Sequence, residues 1–255
     1  MKENSINFEK KGKVGIISLQ NGDYNVFDKD QMIIFKDLIQ EIKKNPKINT
    51  LVIKSSSNKA FSTGLDLKKL DQESIIVYQN VGIEAIKNLY HHPIPKIALI
   101  NGHTIGYGCF ITFACDFRYA TKDTIFQVPE INIPYTYPIY GGISIISRIL
   151  KNPSDAKYIL CTGNKFEVEH ASKMGLVDRI FDTKDEMIES GLTFAKELSL
   201  KDTHKMKMIL ASFDTCQTIP VKKGMKLEEE AFSILRHPTK ELKKYVEEYI
   251  EQFNK

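Results

Sequence analysis

The chain has 255 residues, 42% of them hydrophobic and 27% charged, with a net charge of +4. A core of this size needs no disulfide or metal staple, and ordinary apolar, glycine and proline contents exclude collagen, coiled coil and intrinsic disorder. No apolar run approaches the ~20 residues that span a bilayer, and the charged start (Met1, Lys2, Glu3) lacks a signal-peptide centre, so a cytoplasmic chain without a membrane partner is expected.

Residues 14–19 read as a buried strand ended by the turn pair Asn21-Gly22. Asp28 then caps a helix whose apolar positions Phe35, Leu38, Ile39 and Ile42 recur at helical spacing, and Pro46 stops it. A β-branched strand follows at 50–54, a helix around 77–90 and a strand at 96–101. A glycine-rich turn at 102–108 leads into an apolar stretch at 109–114. Short strands are expected at 117–120 and 125–128, and helices near 141–150, 153–162 and 167–174. Asn152 and Pro153 mark the start of the second of these helices. A last strand at 177–181 precedes a capping box, Thr183 with Glu186, for a helix to about residue 199.

This alternation argues an α/β fold, and the rest is helical. No linker separates the parts, so an α/β core over 1–199 is expected to carry a helical region over 200–255. From Thr239 an apolar stripe (Leu242, Tyr245, Val246, Tyr249, Ile250, Phe253) must bury against its own core or a neighbouring subunit. Only four of the 36 basic residues are arginine and none cluster with aromatics, which argues against nucleic acid as a partner. The dispersed cysteines Cys109, Cys115, Cys161 and Cys216 lack metal-ligand spacing and read as reduced core or pocket thiols.

Two glycine-centred segments stand out, Ala60-Phe61-Ser62-Thr63-Gly64-Leu65-Asp66-Leu67 and Asn101-Gly102-His103-Thr104-Ile105-Gly106-Tyr107-Gly108-Cys109. Such glycines commonly serve backbone needs alone. The second segment lacks the third glycine and the downstream acid of a dinucleotide site, which excludes NAD. What two such turns could do, if they faced one another, is present free N–H groups as an oxyanion hole for a thioester enolate.

The order and content of these segments resemble the crotonase (enoyl-CoA hydratase/isomerase) family over roughly residues 10–200. The resemblance also rests on Pro95-x-x-Ala98-x-x-Asn101-Gly102, Gly106-x-Gly108, Cys115-Asp116 with Arg118 and Ala120, Phe126-x-x-Pro129-Glu130, Thr162-Gly163, and Ala171 with Gly175-Leu176-Val177. It implies a spiral of β-β-α repeats with a helical C-terminal trimerisation region. It also implies a homotrimer or dimer of trimers, an acyl-CoA substrate and no further cofactor or metal.

Carried over by position, the oxyanion-hole N–H groups fall on Leu65 and Tyr107, where the family often has glycine in the second place. Of the two glutamates of typical hydratases, one falls on Glu130 and the other on Phe110. Eight residues beyond Glu130, where dienoyl-CoA isomerases carry an acid, stands Pro138. Hydration needs one group for water and another for the C2 proton, whereas moving a double bond from C3 to C2 needs one base. The pattern therefore resembles single-glutamate 3,2-enoyl-CoA isomerases. A one-glutamate hydratase and a non-catalytic acyl-CoA-binding member of the fold remain as alternatives.

The resemblance further implies an adenine held on the backbone edges of Ala60, Phe61 and Ser62, and substrate contacts from Gly64, Asp66, Gly106, Phe110, Tyr137 and Pro138. Each residue also has a plain structural reading. Glu130 would serve as a surface or capping carboxylate, Asp66 as a helix-start cap and His103 as packing. Tyr135, Tyr137 and Tyr140 would either fill core or line an acyl pocket, and Lys68 and Lys69 would be solvated or meet CoA phosphates.

Overall fold

The structure, a computed structural model, describes residues 5–69 and 71–235. The expected stripe from Thr239 lies outside them. The chain forms two compact units, residues 1–203 and 204–255.

In the first unit the strands are β1 (Ile6–Lys11), β2 (Val14–Leu19), β3 (Thr50–Ser55), β4 (Ala60–Ser62), β5 (Lys96–Ile100), β6 (His103–Ile105), β7 (Phe117–Thr121), β8 (Ile125–Gln127), β9 (Phe166–Glu167) and β10 (Arg179–Phe181). Its helices are α1 (Lys29–Lys44), α2 (Gln72–Tyr90), α3 (Tyr107–Phe113), α4 (Ile146–Ile149), α5 (Pro153–Thr162), α6 (Val168–Met174) and α7 (Lys184–Ser199). One sheet has the order β1-β2-β3-β5-β7-β10, parallel except for the β1–β2 hairpin. The other has the order β4-β6-β8-β9, parallel except for β9. Three successive strand pairs, β3–β4, β5–β6 and β7–β8, each give one strand to each sheet, which makes the chain a spiral of β-β-α turns.

The period-2 rule for strands divides the core. Ile17, Leu51, Ile53, Ala98 and Ile100 join the larger apolar cluster with residues of α1, α2 and α3. Ile16, Val52, Ile97 and Leu99 face Met187 and Ala195 of α7. Gly191 makes that contact possible, because a Cβ there would stand 2.3 Å from Leu99 Cδ2.

Helix starts agree with their capping chemistry. Asp28 and Gln31 form a reciprocal cap on α1, and Thr183 and Glu186 form one on α7. Other expectations need correction. The helix α2 begins at Gln72 rather than 77, because Asp71 and Ser74 make a box from short side chains. The expected helix over 141–150 reduces to α4, since Gly141 has φ +74 and breaks the helical run. The glycine-rich turn contains β6, and β1 was not expected at all. Cys161 is exposed, so it is not a core thiol.

The second unit contains α8 (Thr203–Cys216) apart from its first residue, and α9 (Val221–Leu235). Ile209, Phe213, Val221, Met225 and Phe232 on these helices are exposed. Among the described residues no helix is long and apolar enough to cross a membrane.

Candidate active site

The two glycine segments meet. Gly64, with φ +86, follows β4, and a Cβ on it would lie 2.8 Å from Ile105 O and 3.1 Å from Tyr107 N. The turn at 64–65 therefore passes directly over the corner at 105–107, and glycine is required both for its φ and for the approach. Gly108 carries the same closeness into α3, since a Cβ there would stand 2.4 Å from Ser62 O. Asn25 supports β4 from its other side. Its amide donates to Ser55 Oγ (2.7 Å) and Phe61 O (3.0 Å).

At this junction two backbone donors are left over. The carbonyl of Gly64 and the N–H of Asp66 form the bridge to Phe27 at 2.7 and 2.9 Å, which leaves the Leu65 N–H between them without a partner among the described residues. Tyr107 opens α3, and the first N–H groups of a helix have no intrahelical acceptor.

Glu130 comes to the same place from a separate element, the 3₁₀ turn Pro129–Asn132. Gly106 has φ +53, and a Cβ on it would be 3.2 Å from Glu130 Oε1, so the carboxylate lies over the residue that precedes the Tyr107 N–H. The turn is held from two directions. Thr136 Oγ1 donates to Glu130 O (2.7 Å). At the left-handed C-cap of α5, Gly163 O accepts from Gln127 Nε2 (2.9 Å) and Thr162 O from Asn132 Nδ2 (3.1 Å). The Thr162-Gly163 pair thus braces the turn that carries Glu130.

Glu130 Oε2 is buried and has no hydrogen-bond partner among the described residues. Burial disfavours the charged form and pushes the carboxyl up to about 7, partly offset by a hydrogen bond from its own backbone. A carboxyl so poised exchanges protons readily near neutral pH, as a general base must.

The wall beside it is aromatic. Phe110 is fully buried, with its ring 5.6 Å from Tyr140, and the Tyr107 ring lies 4.9 Å from Tyr140. Pro138 and Phe110 both press on Gly142, where a Cβ would stand 2.8 Å from Pro138 Cβ and 2.6 Å from Phe110 Cε1.

Not all expected contacts gather here. Tyr137 is 64% exposed, and Tyr135, at φ +60, is fully exposed. Asp66 accepts from Lys68 N (3.2 Å) at the start of a short 3₁₀ turn and lies 3.5 Å from Lys69 Nζ, which also pairs with Asp28 at 2.9 Å. Ala60, Phe61 and Ser62 are buried, and the Ala60 and Phe61 carbonyls accept from Ser55 and Asn25 respectively. Asn25, Gln127 and Asn132 were not singled out from sequence. A lone amide in a turn or at a strand end carries no periodicity, and only the bonds it makes to distant segments reveal its role.

The sequence profile described as "Enoyl-CoA hydratase/isomerase" matches residues 9–255. The chain is 25% identical to a protein named crotonyl-CoA hydratase from Syntrophomonas wolfei, over 90% of this chain and 89% of that one. It is 27% identical to a mitochondrial delta(3,5)-delta(2,4)-dienoyl-CoA isomerase of Mus musculus, over 65% of this chain and 54% of that one. The solved structure of an enoyl-CoA hydratase from Bacillus anthracis shares the fold with a TM-score of 0.88 at 20% identity, covering 98% of this chain and 97% of that one.

Proposed function

The chain belongs to the enoyl-CoA hydratase/isomerase family, and within it we propose an isomerase that converts a 3-enoyl-CoA to the 2-enoyl-CoA. The observation that carries this reading is the pairing of one carboxylate, its Oε2 buried and unpartnered among the described residues, with two free N–H groups, beside buried Phe110 where hydratases place a second glutamate.

The thioester oxygen accepts hydrogen bonds from the Leu65 and Tyr107 N–H groups. Glu130 takes a proton from C2, and the electron pair of that C–H bond moves into the C1–C2 bond as negative charge passes to the thioester oxygen. The carboxylic acid then returns the proton to C4. The C3–C4 π electrons form the new C4–H bond, and the enolate electrons close the C2–C3 double bond. Each oxyanion donor contributes about 3–4 kcal/mol to such a transition state. Apolar Phe110 and Pro138 keep water from the dienolate. Atoms and charge balance with the substrate and Glu130 alone, so no cofactor or metal enters.

The relative named a hydratase favours a second reading, in which Glu130 alone activates water on a 2-enoyl-CoA. Incubation with 3-hexenoyl-CoA and, separately, 2-hexenoyl-CoA distinguishes them. The isomerase reading expects double-bond migration with little hydration, and Glu130→Gln is expected to lower migration by about a hundred- to ten-thousandfold. Hydration as the dominant reaction would overturn the reading, as would unimpaired migration in the variant. CoA-thioester binding without either reaction would indicate the non-catalytic alternative.

We also propose that this enzyme works in the cytoplasm, as a trimer or dimer of trimers. The exposed apolar side chains of α8 and α9 support the assembly. Among the described residues Lys68, beside the first motif, makes no ion pair and is offered for a CoA phosphate. Its neighbour Lys69 is already paired with Asp28 and Asp66.

A further inference from the structure

The position of the acyl tail follows from the site once the isomerase reading is adopted. With the thioester oxygen at the Leu65 and Tyr107 N–H groups and Glu130 reaching both C2 and C4, the first four carbons lie over Gly106. The proposed path beyond C4 runs toward Tyr107, Phe110 and Tyr140, the last of which is close enough to Glu130 for the carboxylate charge to act on its hydroxyl.

Those side chains form a wall. Tyr107, Phe110 and Tyr140 are 1%, 0% and 6% exposed, and their rings touch edge-on or tilted at 4.9 and 5.6 Å between centroids. The wall has no room to retreat. Behind Tyr140, helix α2 approaches at Gly82, where even a methyl group would stand 2.6 Å from Tyr140 Cε1 and 2.9 Å from Met32 Sδ. Behind Phe110, a methyl group at Gly142 would stand 2.6 Å from its ring. Interiors packed this closely take extra volume only by distorting.

We infer that the Tyr107–Phe110–Tyr140 wall closes the acyl pocket shortly beyond C4 and confines the enzyme to short-chain 3-enoyl-CoA substrates. This rests on the isomerase reading for the placement of C2 and C4. A tail that fits gains about fourfold in binding for each buried methylene. One that meets the wall loses that gain and must displace rings as well.

The test is a chain-length series on the intact protein with 3-butenoyl-, 3-hexenoyl-, 3-octenoyl- and 3-dodecenoyl-CoA. kcat/KM is expected to fall by at least about tenfold between hexenoyl and octenoyl, and further for dodecenoyl. Tyr140→Ala is expected to raise the octenoyl-to-hexenoyl ratio by about tenfold, while Tyr140→Phe, which keeps the ring, leaves the ratio as it is. Equal turnover at all lengths, or a ratio unmoved by Tyr140→Ala in a protein that melts cooperatively, overturns the inference and leaves the isomerase reading intact. If no 3-enoyl-CoA is isomerised, that reading fails. The wall is then tested by calorimetry with butyryl-, hexanoyl- and dodecanoyl-CoA, where dodecanoyl binding as tight as hexanoyl overturns it.

Discussion

Glu130 is a half-buried carboxyl whose Oε2 is out of water and has no hydrogen-bond partner among the described residues. Its two consequences run in opposite directions with pH. As a base it acts only when ionised, so kcat/KM for isomerisation should climb through pH 7 and level off above it. As a buried charge it costs stability. Its folded-state pKa lies above the unfolded value near 4.5, so its favourable contribution is complete below that value and is lost as pH rises through 7. Glu130→Gln should therefore melt at a higher temperature than the wild type at pH 8, by the equivalent of about 1–3 kcal/mol, and at much the same temperature at pH 4. Thermal scans at the two pH values check this. An acid-limb pKa below 5 in the rate profile, or a variant no more stable at pH 8, would contradict the buried-base description. The apolar run over 131–135 favours a desolvated base, but a single glutamate in a turn is ambiguous until burial is known, so the residue is legible mainly through the family resemblance.

At the scale of elements, what could be read from sequence was what local chemistry decides. The helix starts at Asp28, Pro153 and Thr183 follow from caps and from proline at the first helical turn. The missed strands are those that pattern cannot register. Strands β4 and β6 have three residues each, too few for alternation, and much of the outer strand β1 is polar and exposed. These short strands nevertheless position the site, because the turn after β4 and the start of α3 bring Leu65 and Tyr107 together. Gly108 is the contact that sets their spacing. Gly108→Ala places a methyl group 2.4 Å from Ser62 O, so α3 must shift. The variant should lose about 1–3 kcal/mol of stability. Its kcat should fall by more than the stability loss explains, because the Tyr107 N–H moves with the helix. Thermal unfolding and kcat measured on the same preparation separate the two effects. Unchanged kcat in a folded variant would show that the donor does not depend on this packing.

Across the whole molecule, two sheets built from the same repeats let distant segments converge. Residues near 25, 64, 107, 130 and 163 share one junction because each repeat adds one strand to each sheet. Strand–helix alternation reveals the α/β class, but the pairing of strands across two sheets depends on contacts far apart in sequence. The helices α8 and α9 pose a separate question of assembly. Their exposed apolar side chains should be covered in solution, and sedimentation at micromolar concentration should give a trimer or hexamer mass. A stable monomer would contradict that assignment without touching the chemistry.

The central claim is that one carboxylate moves one proton between C2 and C4. It is tested most directly with 3-hexenoyl-CoA deuterated at C2, by locating the label in the product by mass spectrometry and NMR. A single-base shuttle predicts 2-hexenoyl-CoA with deuterium delivered to C4. Product with no label at C4, accompanied by 3-hydroxyhexanoyl-CoA, would mean that water and a second proton donor do the work.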